Sequence, residues 1–292
     1  MKNGNFPPND GVLRENLGRM KIGKPNPEIT QVAGEAPLIH VTTLERALGI
    51  IDSGTIDSCA KSERKGRHFD RLAINTDKLD RKYGLDRYVF TTLGRNALQN
   101  GGSVSFVFRP QKLLEGRGVV ASLKEVGDYG ALVSQEAEFI YREVTGNDPA
   151  KMNRIAMNRF LEGLVRGADF RRVFAWFLQR NFTKYLEYLT TLTYPGEELV
   201  HNDIGSTNVW GGPQVMIPES INLDELAYIV TRTREESELI LRMAEKKGLK
   251  TPTHSLEEEL HLSMFDSTPG IQTSGLIQAM NILVKDLYFG GK

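Results

Sequence analysis

Two polar residues lie beside short apolar strand signals. His40 stands near the end of a short apolar run, residues 37–42, directly before a helix signal, where side chains often face a cleft. Its imidazole donates and accepts hydrogen bonds, so it could hold a polar ligand there. Gln214 stands in a glycine-rich loop, residues 210–218 (WGGPQVMIP), which runs into a short apolar strand. For His40, a core or edge histidine with satisfied hydrogen bonds is the alternative.

The sequence lacks the common fingerprints of catalysis. A Walker phosphate loop, a strand-linked GxGxxG motif, an HExxH motif and a GxSxG elbow are all absent. Five histidines are too scattered to indicate a metal site, so we expect no bound metal. The single Cys59 excludes an intramolecular disulfide and a cysteine-rich zinc site, and nothing beside it favours a nucleophile.

The composition is typical of a soluble globular protein. The chain has 292 residues, 40% hydrophobic and 25% charged, and its 37 Lys and Arg balance 37 Asp and Glu. Without a basic excess we expect nucleic acid to be an unlikely partner. No apolar run of roughly 18 residues occurs, so no membrane span is predicted. The amino terminus lacks an apolar signal region, which predicts a cytoplasmic protein or one exported into a host cell without a cleaved signal peptide.

Regular secondary structure is predicted to begin after an amino-terminal arm. Residues 1–36 contain four prolines and little periodic hydrophobicity, which predicts a disordered or loosely docked arm. Residues 37–42 predict a buried strand. Thr42 and Glu45 fit a capping box for the helix that follows, and Gly54 ends that helix.

The remaining signals predict an α+β fold. Short apolar runs predict strands at 72–75, 88–93, 103–109, 118–123, 209–217 and 226–231, whereas the charged stretch 59–70 predicts a loop. Helical spacing predicts helices at 135–144, 150–166, 169–192, 235–247 and 274–288. Because regular βαβ alternation is absent, this order indicates a mostly antiparallel core with a helical insertion at 135–192. We expect residues 37–292 to form a single domain.

Three segments resemble, in the same order, parts of the ADP-ribosyltransferase superfamily. Residues 38–56 (LIHVTTLERALGIIDSGTI) resemble the opening strand and helix of the branch with a histidine on its first strand. That branch includes diphtheria-type toxins, poly-ADP-ribose polymerases and DarT toxins. Residues 88–94 (YVFTTLG) are similar to its middle strand, and residues 212–218 to its catalytic loop and strand. The resemblance implies a split, mostly antiparallel ADP-ribosyltransferase-like core.

The resemblance also implies a cosubstrate and a set of site residues. NAD would be the cosubstrate, and its ADP-ribose would be transferred to an acceptor. His40 would hydrogen-bond a ribose of NAD, and Tyr88, or Tyr83 in its place, would stack on nicotinamide. The residues that would bind the cofactor are His40, Val41, Thr42, Tyr88, Thr91 and Thr92.

Gln214 departs from the family pattern, which has a glutamate at this position. That carboxylate would stabilise an oxocarbenium-like transition state, and removing one such group costs roughly 3–4 kcal/mol. The chain is therefore an inactive Glu-to-Gln variant, a natural pseudoenzyme, or an enzyme whose catalytic carboxylate lies elsewhere. Glu138, in the segment 134–141 (SQEAEFIY), is the main alternative, although acidic residues also favour a helix start there. Glu219 is a weaker one.

These signals favour a mono-ADP-ribosyltransferase that modifies a protein acceptor. The arm, the missing export signal and the insertion at 135–192 are typical of a bacterial effector or toxin with a role in virulence, and the insertion would recognise the acceptor. Two other hypotheses compete with this one. The first is a catalytically silent module that binds NAD or a partner on the same fold, and the second is an interaction protein that does not bind NAD.

Overall fold

The structure is a computed structural model that describes residues 6–66, 80–93, 103–123, 157–158, 160–180 and 213–255. The strands of these parts are β1 (Leu38–Thr42), β2 (Thr55–Asp57), β3 (Tyr88–Leu93), β4 (Val104–Phe108), β5 (Val120–Ser122), β6 (Val165–Arg166), β7 (Gln214–Pro218), β8 (Ser220–Asn222), β9 (Leu226–Thr231) and β10 (Thr253–Ser255). The helices are α1 (Asp10–Arg19), α2 (Pro27–Glu35), α3 (Leu44–Ser53), α4 (Cys59–Arg64), α5 (Pro110–Leu114), α6 (Gly167–Arg180) and α7 (Arg234–Lys246).

An eight-stranded sheet organises the described residues. Its strand order is β10-β9-β4-β1-β3-β7-β5-β6, and β2 and β8 form a separate two-stranded sheet. Neighbouring strands are antiparallel throughout the large sheet except for β9 and β10, which are parallel. The α+β fold class with a mostly antiparallel core is therefore confirmed.

The large sheet consists of two halves that meet at a short junction between β1 and β3. β1 pairs with β4 along its whole length, and β3 pairs with β7 from Tyr88 to Thr92. Within the fully described strands β1 and β3, by contrast, only Leu38–Leu93 and Ile39–Thr92 are paired. Beyond Ile39 and Thr92 both strands continue without pairing to each other. We call the gap that opens between them the seam.

Thr43 caps α3, and the capping box predicted from Thr42 and Glu45 is wrong by one residue. The Thr43 hydroxyl accepts a hydrogen bond from the backbone N–H three residues further on, at 3.4 Å. Thr42 is unsuited to this role because it still belongs to β1, where its carbonyl accepts a hydrogen bond from the Ser103 N–H at 3.0 Å. Gly54 ends the helix as predicted, with a φ of 72° that favours glycine.

Apolar side chains cover both faces of the large sheet. On the first face, Leu38 and Val215 lie in one buried cluster with side chains from α2, α3, α6 and α7. On the second face, Tyr88 and Met216 lie in a smaller cluster with side chains from α1 and from the segment before β6. Because side chains two positions apart on a strand share a face, this assignment extends along each strand.

The described part of residues 1–36 packs against the rest of the chain, so the loosely docked arm predicted from the sequence is wrong for these residues. Leu13 of α1 is only 4% exposed. Asn16 donates through Nδ2 to the carbonyls of Leu161 and Leu164, at 2.8 and 2.9 Å. Hydrogen bonds to such distant carbonyls leave no periodic pattern in the sequence. The division into an arm and a single domain stays a prediction.

Helix α4 occupies the start of the segment 59–70, for which a loop was predicted. The Ser58 hydroxyl accepts a hydrogen bond from the Lys61 N–H at 3.3 Å and so begins the helix. The side chains of Lys61 and Lys65 then pair with the carboxylate of Asp57 at 3.3 and 2.5 Å. Charges that resemble a solvated loop in the sequence therefore tie α4 to β2.

Most other predicted elements are found where the structure describes them. β3, β4, β5, β7, β9 and α7 match predicted elements, and α6 matches the start of the helix predicted at 169–192. The helix predicted at 150–166 ends too late, because Val165 and Arg166 pair with β5 as strand β6. The elements predicted at 72–75, 135–144 and 274–288 lie outside the described residues. None of the helices in the described parts is long and apolar enough to cross a membrane.

Gly167 allows α6 to approach the loop after α5, which leads to a stability prediction. A Cβ at Gly167 would lie 2.4 Å from the carbonyl oxygen of Leu114 and 2.7 Å from Cγ1 of Val119. Gly167→Ala should therefore lower the free energy of unfolding by about 1–3 kcal/mol, because backbone atoms must move. Urea titration followed by circular dichroism measures this change.

Gly49 provides the matched control within α3, because no atom lies within 4 Å of the Cβ that Gly49→Ala would add. Gly49→Ala should raise stability by roughly 0.5–1 kcal/mol through reduced backbone freedom. Equal unfolding midpoints for the two variants would contradict the close packing of α6.

Candidate functional site

The seam leaves main-chain groups of β1 and β3 without the partners that a continuous sheet provides. In a strand, successive residues direct their N–H and C=O groups to opposite edges. The carbonyl of Thr42 faces β4, where it bonds the N–H of Ser103. The N–H and C=O of Val41 therefore face the seam, and within β3 no residue is paired with Val41. The seam thus presents one donor and one acceptor side by side.

The imidazole of His40 forms a hydrogen bond with another main-chain group that faces the seam. Its Nδ1 lies 2.9 Å from the carbonyl oxygen of Phe90. Because a carbonyl only accepts hydrogen bonds, Nδ1 carries the proton and donates it. In the neutral ring, Nε2 is then left with a free lone pair. His40 therefore presents a hydrogen-bond acceptor beside the main-chain groups of Val41.

The surroundings of His40 keep its ring neutral. Burial lowers the pKa of the imidazole below its ordinary value of 6.5, and the nearby positive charge of Arg46 lowers it further. The hydrogen bond to the Phe90 carbonyl acts in the opposite direction but does not outweigh burial. At neutral pH, the acceptor character of Nε2 is therefore retained.

Gln214 is the first residue of β7 and lies in a polar row across the second face. It pairs with Thr92 on β3 and with Ser122 on β5. Both neighbours are buried, and Ser122 is fully so. The Oε1 atom of Gln214 is itself buried and has no hydrogen-bond partner among the described residues. An unsatisfied buried acceptor costs about 1–3 kcal/mol, so we expect this oxygen to meet a donor from outside the described residues.

The pairing of β1 with β3 and of β3 with β7 fixes the positions of His40 and Gln214 relative to each other. Gln214 pairs with Thr92, and Thr92 pairs with Ile39, so these three side chains share the second face. His40 follows Ile39 and alternates away from that face, and its ring turns into the seam towards Phe90. Only β3 separates the two strands, so their backbones lie about 10 Å apart. His40 therefore lines the seam, and Gln214 lies beside its closed end.

The threonines that sequence analysis assigned to the NAD site have mainly structural hydrogen bonds. The Thr91 hydroxyl donates to the carbonyl of Val215 at 3.1 Å, which ties β3 to β7. The Thr92 hydroxyl donates to the carbonyl of Ile39 at 3.5 Å, at the pair that closes the seam. Thr42 is buried at the end of β1. The hydroxyls of Thr91 and Thr92 are thus bonded to carbonyls of neighbouring strands, and the NAD-binding role of the three threonines stays a prediction.

Phe90, which sequence analysis missed, is the aromatic residue beside the seam. Its side chain is half-buried and shares the second face with Thr92 and Gln214. Tyr88 lies two residues further from Gln214, and its ring packs edge-on against Phe6 with centroids 4.9 Å apart. Burial raises the pKa of the Tyr88 hydroxyl to about 12. Once the pairing of β3 with β7 is known, strand alternation places Phe90 on the same face as Gln214.

Of the two alternative carboxylates, only Glu219 lies in the described residues, and it is placed away from this site. Glu138 lies outside the described residues, as do Trp210 and the two glycines after it. Glu219 occupies the turn between β7 and β8 with a φ of 63°, and its side chain pairs with Arg64. Its main chain bonds Ser58 and Arg87, at 2.8 Å in both cases. Glu219 therefore anchors the far end of β7.

Comparisons with known proteins find structural likeness to solved structures at low sequence identity. No protein-family model matches the chain, and no curated protein matches it. DarTG of Thermosipho africanus in complex with ADP-ribose is 12% identical, with a TM-score of 0.45 over 75% of this chain. The match spans 49% of that DarTG chain. DarT of Thermus sp. 2.9 in complex with carba-NAD+ is 10% identical, with a TM-score of 0.40 over 75% of this chain and 94% of the DarT chain.

A third solved structure corrects the expected partners. It is the same Thermus DarT in complex with ADP-ribosylated single-stranded DNA, with a TM-score of 0.43 and 10% identity over 80% of this chain and 97% of that one. The expectation of a protein acceptor, with nucleic acid an unlikely partner, is therefore wrong as it was stated. Its physical basis was the balanced charge of the whole chain, and a sum over all residues does not report the local field at a binding surface.

Proposed function

We propose that the chain binds NAD at the seam and is an ADP-ribosyltransferase in which Gln214 stands in place of the catalytic glutamate. The observation that carries this proposal is the divergence of β1 from β3 after Ile39–Thr92. It leaves the donor and acceptor of Val41 next to the imidazole of His40, with the unpartnered Oε1 of Gln214 across β3.

The main chain of Val41 complements the carboxamide of nicotinamide. A primary carboxamide offers N–H donors and one carbonyl acceptor, and Val41 offers the reverse pair on one edge of β1. Two such bonds would fix the ring plane in the seam and replace those that a neighbouring strand would make. The half-buried ring of Phe90 then provides an apolar surface for the nicotinamide ring.

His40 is suited to hold a ribose of NAD. Its Nε2 accepts a hydrogen bond because Nδ1 is already committed to the carbonyl of Phe90. A ribose hydroxyl is a matching donor. Because this acceptor is preorganised before the ligand arrives, little conformational freedom is lost on binding.

The reaction needs a charge that Gln214 lacks. The bond between the anomeric carbon of the ribose and the nicotinamide nitrogen breaks, and nicotinamide leaves with the electron pair. The acceptor, or water, then forms a bond to that carbon and releases a proton. Positive charge develops on the ribose between these events, and a carboxylate at position 214 would stabilise it. The neutral amide keeps a hydrogen bond to the ribose but not the charge, so slow turnover is expected.

A second candidate function is a silent NAD-binding module on the same fold. The neutral amide of Gln214, whose buried Oε1 has no partner among the described residues, favours it, because a neutral group suits binding without chemistry. The two candidates differ in whether a carboxylate at this position is sufficient for turnover.

The first test restores the charge by Gln214→Glu in the full chain. Nicotinamide release from NAD should rise by about 100- to 1000-fold, because the carboxylate stabilises the transition state. Chromatographic measurement of nicotinamide with water as the acceptor makes this test independent of the natural acceptor.

Gln111→Glu is the matched control, because it introduces the same charge on exposed α5 away from the seam. It should leave nicotinamide release unchanged. NAD binding by calorimetry without any gain from Gln214→Glu would support the silent module. No NAD binding to either chain would contradict both candidates.

The pH dependence of NAD affinity tests the role of His40. The affinity should be constant while the ring is neutral and should fall as pH drops through the lowered pKa of His40, below 6.5. Once the ring is mostly protonated, each further pH unit costs about tenfold in affinity, because an imidazolium has no acceptor. Calorimetric titration of NAD across this range measures the effect.

His40→Ala should weaken NAD binding at neutral pH and remove the acid-side fall. A fall of the same size in the His40→Ala chain would assign the pH dependence to another group and contradict the role proposed for Nε2.

A further inference from the structure

A cavity of about 420 Å³ lies between α1 and the segment before β6. Its volume falls within the range of roughly 300–1,000 Å³ for small-molecule sites. Among the described residues, its lining includes none from β1, β3 or β7. The cavity is therefore a neighbour of the seam and not a part of it.

The lining of this cavity is mostly apolar. Its apolar and aromatic side chains are Phe6, Pro7, Pro8, Val12, Tyr83 and Leu161. The ring of Phe6 is held by an edge-on contact with Tyr88, with 4.9 Å between the ring centroids. Tyr83 is half-buried and supplies a second ring to the lining. These rings favour an aromatic ligand, because a pair of aromatic rings gains free energy beyond the area that it buries.

Both asparagines of the lining already form hydrogen bonds within the chain. Nδ2 of Asn16 donates to the carbonyls of Leu161 and Leu164, at 2.8 and 2.9 Å. Oδ1 of Asn9 accepts a hydrogen bond from the N–H of Val12 at 3.1 Å, where it caps α1. The bonds of Asn16 hold α1 against the segment before β6, so the cavity is formed before any ligand arrives. They also commit these amide groups to the chain itself.

The charged side chains of the lining favour neither an anion nor a cation. The guanidinium of Arg19 donates to Oδ1 of Asn16 at 3.0 Å and is paired with Glu15 at 3.5 Å. Glu162 carries the opposite charge and is exposed, so water solvates its carboxylate. A charged ligand would lose its hydration in an apolar cavity without gaining a new partner, which is costly. An uncharged ligand avoids this cost.

We propose that this cavity binds an uncharged small molecule built on an aromatic ring, which packs against the rings of Phe6 and Tyr83. An anionic ligand would meet only Arg19 in the described lining, and that cation is already paired. A flexible fatty chain would not use the two rings. The bound molecule would contact Val12 of α1 as well as Tyr83 and Leu161, so it would hold the amino-terminal segment against the rest of the chain.

The test uses two fluorescent probes that share one ring system and differ in charge. Phenylnaphthylamine is uncharged, whereas anilinonaphthalene sulfonate carries a negative charge on the same rings. In titrations of the full chain without NAD, the uncharged probe should bind at a single site. The sulfonate should bind at least about tenfold more weakly, because its charge finds no free partner in the lining. Equal or tighter binding of the sulfonate would overturn the inference of an uncharged ligand.

Two variants of the lining locate the bound probe. Val12→Trp fills the cavity and should abolish binding, whereas Arg14→Trp adds the same ring at an exposed position of α1 outside the lining and should not. Tyr83→Ala should weaken binding at least about tenfold, because it removes a ring contact and buried apolar area. Tyr83→Phe keeps the ring and should retain most of the affinity. Thermal unfolding without the probe shows which variants fold.

The inference is overturned if the uncharged probe does not bind, or if folded Val12→Trp or Tyr83→Ala binds it like the unaltered chain. Where one of these variants fails to fold, the other decides. If both fail, nuclear Overhauser effects between the probe and the rings of Phe6 and Tyr83 in the unaltered chain decide, and their absence overturns the inference.

His40→Ala separates the cavity from the seam, because it alters the seam alone. Probe binding should persist in this variant and in the presence of NAD. Its loss in His40→Ala, or its displacement by NAD, would assign the probe to the seam and overturn the inference. None of these results depends on NAD cleavage, so the proposed function can fail separately.

Discussion

The short junction between β1 and β3 is the constraint on which the rest of the structure depends. Two residue pairs, Leu38–Leu93 and Ile39–Thr92, join the halves of the sheet. A continuous sheet would satisfy every main-chain group along β1, whereas here Val41 and Phe90 face a gap. Each buried group left without a partner costs about 1–3 kcal/mol, so a gap of this kind persists only where other groups or a ligand compensate. His40 satisfies the carbonyl of Phe90, whereas the main chain of Val41 has no partner within β3.

The two halves diverge beyond the junction, although their apolar side chains belong to one buried cluster. That cluster contains Leu38 and Phe106 of one half, Val89 and Val215 of the other, and side chains of α3, α6 and α7. Strand β7 is fixed along its length, by the Thr91 hydroxyl on the carbonyl of Val215 and by the main chain of Glu219 at its end. The strand that carries Gln214 is therefore held in place even though Oε1 of Gln214 has no partner among the described residues. A ligand in the seam would meet a fixed framework.

The α4 region strengthens the same framework through charge. Burial raises the pKa of Asp57, but hydrogen bonds from Lys65 and Lys61 lower it more, so the net pKa falls below its ordinary value. Lys61 also donates to the hydroxyl of Ser220 at 2.8 Å, which links α4 to β8 directly after the turn that follows β7. The contribution of this ionised carboxylate is present above its unfolded pKa and is lost as pH falls through the lower folded value. The support of β7 thus weakens in acid separately from His40.

Sequence analysis identified the local elements well, and the site only in part, for a common physical reason. Apolar alternation and turn residues act over a few positions, which is why β1, β3, β4, β7 and β9 were predicted. The candidates His40 and Gln214 came from a resemblance in short segments. The length of the β1–β3 ladder depends on pairing between strands about fifty residues apart, and no local pattern reports where such pairing ends. The position of Phe90 beside the seam and the lack of a partner for Val41 within β3 both follow from that register.

The chemistry of position 214 connects stability with function. A glutamate there would carry a charge into a buried row between Thr92 and Ser122, where Oε1 of the present amide finds no donor. An unpaired buried carboxylate is costly unless its pKa rises or a cation approaches. In a catalytic version of this site, the developing charge on the ribose supplies that cation, so the carboxylate is destabilising in the empty protein and favourable only during the reaction. A glutamine avoids the cost of an unpaired buried charge when no ligand is bound. It also provides no charge to stabilise the transition state. Under the proposed function, glutamine at position 214 would therefore favour ligand binding over turnover.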